Sequence, residues 1–453
     1  MLKKWLNKIL PSGRGGKRAE GKTVIPLERH NIRAEMLSFA AEKVICRLKE
    51  AGFQAYVVGG AVRDLLLGIE PKDFDVATDA TPEQVHKLFR RSRIIGRRFQ
   101  IVHVMNGAEV IEVTTFRGGA KVHQNARGRI MKDNTYGSIE EDAMRRDFTC
   151  NALYYDLEKE EILDFHNGMD DIAERRLVMI GNAAERYQED PVRILRAIRL
   201  SGKLGFELSQ ATAGPIAESI GRLKHEPVAR LFDEIMKLLF SGRACECLKR
   251  LKEFDVPDDI HPLFNALNIS DGMDGKMIGL ALKNTDERLR ADKSVSVGFV
   301  LAALMWPELN RHWKVNLQQG LKPSHALSEA MNTLRDTVER GWGVPQRFSA
   351  TMREIWLFQP QFENRRGTRP HKLFEQARFR AAYDFLILRA AVGDADRTLV
   401  DWWTAFQTAS PEQRADMTKN QPSVRYGKNE GQAKKRRRRR RKPDQGSVGS
   451  NQQ

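Results

Sequence analysis

Two carboxylates separated by one residue, Asp73 and Asp75 in the segment KDFDVAT, form the first feature of this sequence that could do chemistry. On a strand, residues i and i+2 point to the same face, so we expect the two carboxylates side by side. Two negative charges at that spacing repel each other unless a cation lies between them. Mg²⁺ favours hard oxygen ligands, typically one or two carboxylates plus substrate phosphates. The pair therefore predicts a magnesium site, although an isolated Asp-x-Asp is more often a solvated acidic turn.

A glycine turn precedes these carboxylates. Gly59 and Gly60 follow the apolar run AYVV, and Arg63 lies in the first turn of the helix that AVRDLLLG predicts. Glycines allow backbone amides to approach a phosphate, and the start of a helix favours an anion. Arg63 could bind such a phosphate with two N–H groups. A Gly-Gly pair alone is more often an ordinary tight turn, and the absence of Gly-Lys-Ser/Thr excludes a Walker P-loop.

Two later motifs give these residues a family context. The segment EEDAMRRDFTCNA runs from Glu140 to Ala152, and EDPVRILR runs from Glu189 to Arg196. Together and in this order, the four motifs resemble those of the tRNA nucleotidyltransferase/poly(A) polymerase family, within the class II nucleotidyltransferase superfamily. The resemblance covers residues 25–240 strongly and the helical remainder loosely.

The resemblance implies phosphoryl transfer assisted by two metal ions. Asp73 and Asp75 would hold two Mg²⁺ ions, which activate the 3′-hydroxyl of the primer and stabilise the departing pyrophosphate. Asp147 would be the third catalytic carboxylate, and Glu112, in VIEVTTF, is a rival that the sequence leaves open. We favour Asp147 here because its block matches the family motif more closely. The resemblance further implies contacts with the triphosphate from Gly59, Gly60, Arg63 and Arg146.

The EDPVRILR segment implies selection of the incoming nucleotide. Asp190 and Arg193 are three residues apart on a predicted helix, so an acceptor and a forked donor would share one face. In the family, such a pair reads the Watson–Crick edge of the base, and Arg196 extends the same basic stripe. A surface salt bridge between residues i and i+3 is the alternative, which the motif in register disfavours.

One further segment indicates the branch of the family. Residues 94–104, IIGRRFQIVHV, resemble the Gly-Arg-Arg-Phe block of bacterial poly(A) polymerases, and Arg97 and Arg98 are predicted to bind the RNA backbone. The resemblance implies an enzyme that adds AMP from ATP to RNA 3′ ends without a template and thereby promotes RNA turnover. A tRNA CCA-adding enzyme and a non-catalytic RNA-binding protein remain as alternatives, and the intact carboxylate pair argues against the latter. Residues 118–135 have no pattern that aligns, and we assign no role to them.

The elements that must position these residues fall into two regions. Alternating apolar runs predict strands, and TPEQVHKLF predicts a helix capped by Thr81 with Pro82 in its first position. Beyond about residue 170, helical periodicity replaces the strand pattern. The predicted fold class is α+β, with a mixed α/β nucleotidyltransferase head, an all-α neck and body, and disordered basic termini. The predicted boundaries are a basic arm at 1–22, a catalytic head at 23–165, a nucleotide-selecting neck at 166–240, an RNA-binding body at 241–420 and an Arg-rich tail at 421–453.

The net charge of +17 lies almost entirely in the two ends of the chain. Residues 1–22 contribute +6 and the basic run 434–442 contributes +9, which leaves +2 for the remainder. A polyanionic partner is therefore expected, with RNA as the leading candidate. No window approaches 18 apolar residues, so we expect no transmembrane helix. The first ten residues could form an amphipathic helix on a membrane surface, although a frayed arm is favoured, and we expect a cytoplasmic monomer.

Overall fold

The computed structural model describes residues 21–96, 100–119, 123–124, 130–132, 135–269, 271–419 and 421. The predictions for Arg97 and Arg98, for the arm before residue 21 and for the basic tail lie outside the described residues. Most of the segment 118–135 lies outside them as well.

The described strands lie in the head, apart from two short ones at the start of the helical region. They are β1 (Thr23–Ile25), β2 (Ala55–Val58), β3 (Asp75–Thr78), β4 (Ser92–Ile95), β5 (Ile101–Asn106), β6 (Glu109–Thr115), β7 (His123–Gln124), β8 (Ile130–Lys132), β9 (Leu153–Asp156), β10 (Glu161–Asp164), β11 (Arg176–Leu177) and β12 (Glu207–Leu208). Eight of them form one mixed sheet in the order β1-β10-β9-β2-β3-β6-β5-β4. Strand β3 lies near the centre of this sheet, antiparallel to β2 and parallel to β6.

Helices surround this sheet and then form the rest of the chain. In the head and neck they are α1 (Leu27–His30), α2 (Phe39–Glu50), α3 (Gly60–Leu66), α4 (Pro82–Leu88), α5 (Ile139–Arg145), α6 (Gly168–Ala173), α7 (Ala183–Glu189), α8 (Val192–Leu204), α9 (Gln210–Ala213), α10 (Ile216–Ser219) and α11 (Val228–Leu239). In the body they are α12 (Ala244–Glu253), α13 (Pro262–Leu267), α14 (Gly272–Arg290), α15 (Val297–Gln318), α16 (Pro323–Thr333), α17 (Gln346–Phe358), α18 (Arg369–Phe374), α19 (Phe379–Ala391), α20 (Arg397–Thr408) and α21 (Pro411–Lys419). None of these described helices combines the length and apolar character needed to cross a membrane.

The two faces of the sheet bury different apolar clusters. On one face, Val76 of β3 packs in the main core together with Val44 of α2. On the other face, Ala77 of β3 joins a smaller cluster with Ala143 of α5. Side chains alternate along a strand, so Asp75 lies on the same face as Ala77. The carboxylate thus faces the α5 side of the sheet, away from α2.

The predicted fold class is confirmed for the described residues, with a mixed sheet in the head and helices beyond it. The helix α4 begins as predicted, because Thr81 caps it, Pro82 is its first residue, and Gln84 completes a reciprocal capping box. The sequence does not predict strands β9 and β10, because their side chains do not alternate between buried and exposed. All four residues of β9 are buried, and so are three of the four residues of β10.

One local prediction is wrong: Asp73 does not lie on a strand. Strand β3 begins at Asp75, whose partner is Val58, the last residue of β2. After Val58 the chain turns away at Gly59, which has a φ of 79°. No segment of β2 remains to pair with Asp73, so this residue lies on the connection that enters β3.

A close contact between two helices positions the neck. A methyl group placed on Gly202 of α8 would lie 2.6 Å from the Cα atom of Cys247 on α12. Real Cβ atoms do not approach backbone that closely, so α8 can pack on α12 only through a glycine. The opposite face of α8 is thereby directed towards the head.

Substituting this glycine should separate the two helices. We expect Gly202→Ala to lower the free energy of unfolding by about 1–3 kcal/mol, the usual cost of overpacking. Gly279→Ala is the matched control, because no atom lies within 4 Å of the added methyl group on α14. The control should raise the free energy of unfolding by up to about 1 kcal/mol through helix propensity. Urea unfolding followed by circular dichroism measures both, and equal stability of the two variants would contradict the close packing.

Candidate active site

The central strands of the sheet place two carboxylates next to each other. Asp75 on β3 is paired in register with Glu112 on the parallel strand β6. On β5, His103 is paired with Glu112 in turn, and its Nε2 lies 3.2 Å from a carboxylate oxygen of Glu112. Adjacent strands are about 4.8 Å apart, so the negative charges of Asp75 and Glu112 act on each other directly.

This neighbourhood changes the acidity of Asp75. Burial raises its pKa most, and the charge of Glu112 raises it further, while Arg146 opposes the shift. The resulting pKa is about 6, well above the ordinary value of 3.8. The ionised form of Asp75 is therefore disfavoured by burial and by repulsion from Glu112, and a bound cation would remove this repulsion.

The site presents oxygen ligands without a completed cage. Asp73 is exposed on the connection before β3, and Asp75 is half-buried. Within the described part of the chain, no three acidic, histidine or cysteine side chains already converge on one metal position. Carboxylate oxygens suit Mg²⁺, which commonly keeps water and substrate phosphates in its remaining positions. The donor chemistry thus fits a magnesium site completed by substrate.

Asp147, which the sequence favoured as the third carboxylate, lies in a different environment. Its Oδ1 accepts a hydrogen bond of 2.9 Å from Nε of Arg193, and its Oδ2 accepts one from Arg196. Burial alone would raise the pKa of Asp147, but the two arginines outweigh it and lower the pKa to about 2. Both carboxylate oxygens are thus engaged in ion pairs. Glu112, and not Asp147, is the register partner of Asp75, while the catalytic role expected for Asp147 stays a prediction.

The glycine turn reaches the carboxylates as expected. A methyl group on Gly59 would lie 3.7 Å from Nη1 of Arg146 and 3.9 Å from an oxygen of Asp75. Gly59 therefore lies within contact range of both Arg146 and Asp75, and its positive φ favours glycine at this point. Gly60 follows as the first residue of α3.

Arg63 is placed beneath this turn, where its side chain is buried. Its Nε and Nη2 donate to Asp64 Oδ1 at 2.8 and 2.6 Å, and its Nη1 donates to Asn151 Oδ1 at 2.6 Å. Three nitrogens of Arg63 are thus directed at protein oxygens, and its expected contact with a phosphate stays a prediction. Arg63 connects the helix that follows the glycine turn to the EEDAMRRDFTCNA segment through Asn151.

Arg146 has the orientation that Arg63 lacks. Its Nε donates to the hydroxyl of Tyr154 at 2.9 Å, and its Nη2 donates to Asp142 at 2.9 Å. The Tyr154 hydroxyl also donates to Asp142, so these two linked groups hold the guanidinium in one position. The remaining nitrogen, Nη1, is the atom that approaches Gly59. Arg146 thus directs a fixed positive charge at the glycine turn.

The predicted base-reading pair does not share a helical face. Helix α7 ends at Glu189 and α8 begins at Val192, so Asp190 lies between two helices in an extended conformation, with φ −147° and ψ 92°. Pro191 explains the break, because a proline disfavours the helical conformation in the residue before it. Arg230 of α11 donates to both oxygens of Asp190, at 3.0 and 2.9 Å. Arg193 is turned towards Asp147 instead.

A branched series of ion pairs, here called the neck network, connects these residues. It joins Asp147 to Arg193 and Arg196, Arg193 to Glu189, Glu189 to Arg186, and Arg196 and Arg199 to Glu234. The network links the head, α7, α8 and α11. Sequence reasoning missed Glu234 and Arg230, although a signal for Glu234 exists. It stands between Leu231 and Leu238 in the apolar stripe of α11, where a charge indicates a buried ion pair.

Comparison with known proteins gives three matches to family models. Residues 55–178 match the Poly A polymerase head domain, residues 205–267 match the Probable RNA and SrmB- binding site of polymerase A, and residues 319–443 match the Polymerase A arginine-rich C-terminus.

Two curated relatives match along most of their length. Poly(A) polymerase I of Salmonella typhi is 43% identical over 87% of this chain and 88% of its own. That of Haemophilus influenzae is 38% identical over 88% of this chain and 91% of its own. By contrast, the CCA-adding enzyme of Bacillus pumilus is 42% identical over 45% of this chain and 50% of its own. Similarity to the first two thus extends beyond the region shared with the third.

Solved structures share the fold. The Bacillus stearothermophilus CCA-adding enzyme in complex with CTP is 27% identical, with a TM-score of 0.51, over 83% of this chain and 80% of its own. The Thermotoga maritima CCA-adding enzyme complexed with tRNA is 17% identical, with a TM-score of 0.52, over 90% and 92%. The latter likeness concerns the fold alone.

The pKa of Asp75 has a measurable effect on stability in the metal-free protein. Because its folded pKa of about 6 exceeds the ordinary 3.8, the ionised carboxylate destabilises the fold above pH 6 and imposes no cost below pH 4. Asp75→Asn should therefore raise the free energy of unfolding by about 2 kcal/mol at pH 8 and leave it unchanged at pH 3.5. Urea unfolding with a chelator present measures the difference.

The control is Glu42→Gln, which removes an exposed charge on the opposite face of the sheet. It should change the free energy of unfolding by less than about 0.5 kcal/mol at both pH values. An effect of Asp75→Asn that does not depend on pH would contradict the proposed charge repulsion.

Proposed function

This chain belongs to the bacterial poly(A) polymerase I family, and we propose that its head transfers AMP from ATP to RNA 3′ ends through two Mg²⁺ ions at Asp73, Asp75 and Glu112. The enzyme is a nucleotidyltransferase that adds adenylate without a template. The observation that carries this conclusion is the 43% identity to poly(A) polymerase I over 87% of this chain. Similarity to the Bacillus pumilus CCA-adding enzyme covers less than half of it.

Members of the nucleotidyltransferase family generally use divalent metal ions. The raised pKa of Asp75 supports a cation between this residue and Glu112, because a cation would remove the repulsion that raises it. When bound, two ions supply Lewis-acid stabilisation to the attacking and leaving oxygens. In the reaction, the RNA 3′-oxygen forms a bond to the α-phosphorus of ATP, and the bond from that phosphorus to the bridging oxygen breaks as pyrophosphate leaves.

We assign the triphosphate to the glycine turn. Arg146 is fixed by Asp142 and Tyr154 with one nitrogen directed at Gly59, so its positive charge is preorganised for a phosphate. The backbone of Gly59 and Gly60 lies next to it. Arg63 acts by holding this turn against Asn151, and we classify it as a positioning residue.

We assign selection of the base to Asp190, Arg193 and Arg196. Each of these side chains is held by ion pairs, namely Asp190 by Arg230 and the two arginines by Asp147. Fixed donors and acceptors discriminate between bases, because a mismatched base would leave a buried polar group without a partner. The neck network, together with the ion pair of Asp190 and Arg230, would thereby make the enzyme selective for ATP.

Further parts of the proposal concern the surroundings of the enzyme. We propose that the enzyme acts as a monomer. We propose a cytoplasmic location, where ATP and transcripts are available. Contacts of Arg97 and Arg98 with RNA, and of the first ten residues with a membrane, lie outside the described residues and stay predictions.

The two candidates for the third carboxylate can be separated by stability and activity together. Glu112→Gln should abolish nucleotide addition, because it removes a metal ligand, and should leave the folded protein at least as stable. Asp147→Asn should lower the free energy of unfolding by about 1–3 kcal/mol, because it removes one of the two counter-charges of the buried Arg193 and of the half-buried Arg196. Urea unfolding and a primer-extension assay measure the two effects. Full activity of Glu112→Gln would remove it from the metal site.

The polymerase assignment can be tested with each nucleotide alone. Purified protein with Mg²⁺ and a generic RNA oligonucleotide should produce long ladders with ATP and little extension with CTP, GTP or UTP. The product lengths are measured on denaturing gels, with Asp75→Ala as the inactive control. Arrest after three nucleotides on tRNA, with CTP required, would instead identify a CCA-adding enzyme.

A further inference from the structure

A basic cavity lies on the face of the sheet opposite the catalytic carboxylates. Its volume is about 560 Å³, and it lies between α2, the end of α4 and strand β5. Val44 and Val104 contribute to its apolar lining, together with the half-buried Phe89. Both valines belong to the main core, on the side of the sheet away from Asp75. The cavity is therefore separate from the proposed active site.

The charges around this cavity are mostly positive. Lys43 and Arg47 come from α2, and Arg90 and Arg91 come from the connection into β4. Glu50 is the one acidic residue of the lining, and it forms an exposed pair of 3.3 Å with Arg47. Four cations and one anion give the lining a formal charge of +3. Lys43, Arg90 and Arg91 form no ion pair with any other residue that the structure describes.

Beyond the cavity, helix α2 presents an exposed aromatic side chain next to the basic lining. Phe39, Lys43 and Arg47 are spaced by four residues, so they form one exposed ridge of the helix. Phe39 is 74% exposed, which is unusual for so large an apolar side chain. An exposed aromatic ring beside a row of cations is the combination by which proteins bind single-stranded nucleic acid, through base stacking and phosphate contacts.

We propose that this ridge and cavity form a second RNA-binding site, which holds a single-stranded part of the transcript behind the catalytic head. The ridge from Phe39 to Glu50 is about 16 Å long, since a helix rises 1.5 Å per residue, and it can accommodate about three nucleotides. The apolar cavity next to the cations suits an unstacked base, and the cations suit its phosphates. The site lies outside residues 205–267, which match the RNA-binding family model.

The occupant follows from the charge and from the substrate of the enzyme. A polyanion with apolar bases complements both the +3 lining and the apolar wall of the cavity. The inference rests on the proposed function, because the RNA substrate of that function is the polyanion that would occupy this site. Binding can nevertheless be measured without catalysis, with RNA whose 3′ end lacks a hydroxyl group.

The test compares two variants with four charges removed from each. The first combines Lys43→Gln, Arg47→Gln, Arg90→Gln and Arg91→Gln. The matched control combines Lys22→Gln, Arg29→Gln, Arg33→Gln and Lys159→Gln, which are exposed around β1 and the β9–β10 turn, at the other edge of the sheet. Binding of a 3′-deoxy RNA of about 30 nucleotides is measured over a range of salt concentrations. An RNA of this length can occupy the active site and the second site at the same time.

For the first variant, the slope of log affinity against log salt should decrease by up to about 3, because each phosphate contact on single strands contributes about 0.7. The control should keep the slope of the unmodified protein. Phe39→Ala should weaken binding about tenfold without changing the slope, because stacking releases no counterions. A slope that is unchanged in the first variant, or reduced equally in both, would overturn the proposal.

Two readouts separate this proposal from the polymerase assignment. Both four-charge variants should extend a primer of about 6 nucleotides as well as the unmodified protein does. A primer of this length occupies the active site without reaching the second site. Failure of the unmodified protein to extend it would contradict the proposed function alone. Alkylation of Cys46, an exposed thiol in the cavity lining, should be slowed by the long RNA and not by the short one. Equal alkylation rates with and without long RNA would exclude RNA from the cavity.

Discussion

Asp147 connects the sheet of the head to the helices of the neck. Its carboxylate receives hydrogen bonds from Arg193 and Arg196, both on α8, and its backbone oxygen accepts from the amide of Ile180. A carboxylate with a pKa near 2 remains ionised at every physiological pH, so these bonds do not depend on ordinary changes in acidity. The orientation of α8 relative to the head, and with it the positions of Arg193 and Arg196, depends strongly on this one side chain.

The protein uses carboxylates in two opposite electrostatic settings within the same head. Asp147 has cationic partners and a pKa of about 2, whereas Asp75 has an anionic neighbour and a pKa of about 6. The first setting stabilises the fold, and the second destabilises it when the carboxylate is ionised. The two carboxylates therefore differ in their electrostatic surroundings, which a sequence motif does not reveal.

The sequence was sufficient for features that depend on neighbouring residues. The capped start of α4, the strands around Asp75 and Glu112, and the helical body were all predictable, because period and capping are local properties. The glycine turn was also placed correctly beside Asp75.

The remaining features depend on contacts between distant residues. The register of β3 against β6 brings Glu112 to Asp75, and the spacing of 37 residues between them gives no indication of it. The pairing of Asp190 with Arg230 spans 40 residues and involves a separate helix. The motif containing Asp147 was recognisable, but its role depended on where α8 lies in three dimensions. Local sequence patterns thus identified most of the residues around the candidate site, but they did not identify the residues with which these side chains pair.

The strand order sets a sequence of events during synthesis of the protein on the ribosome. Strands β2 and β3 are close in the chain, so the glycine turn and Asp75 can come together as soon as they emerge. Strand β1 has to wait, because its partner is β10 and Thr23 pairs with Asp164. The partners of Asp147 emerge later still, with α8. A nascent chain interrupted between these points therefore carries the acidic pair on an unfinished sheet, with one edge open and no neck to receive it.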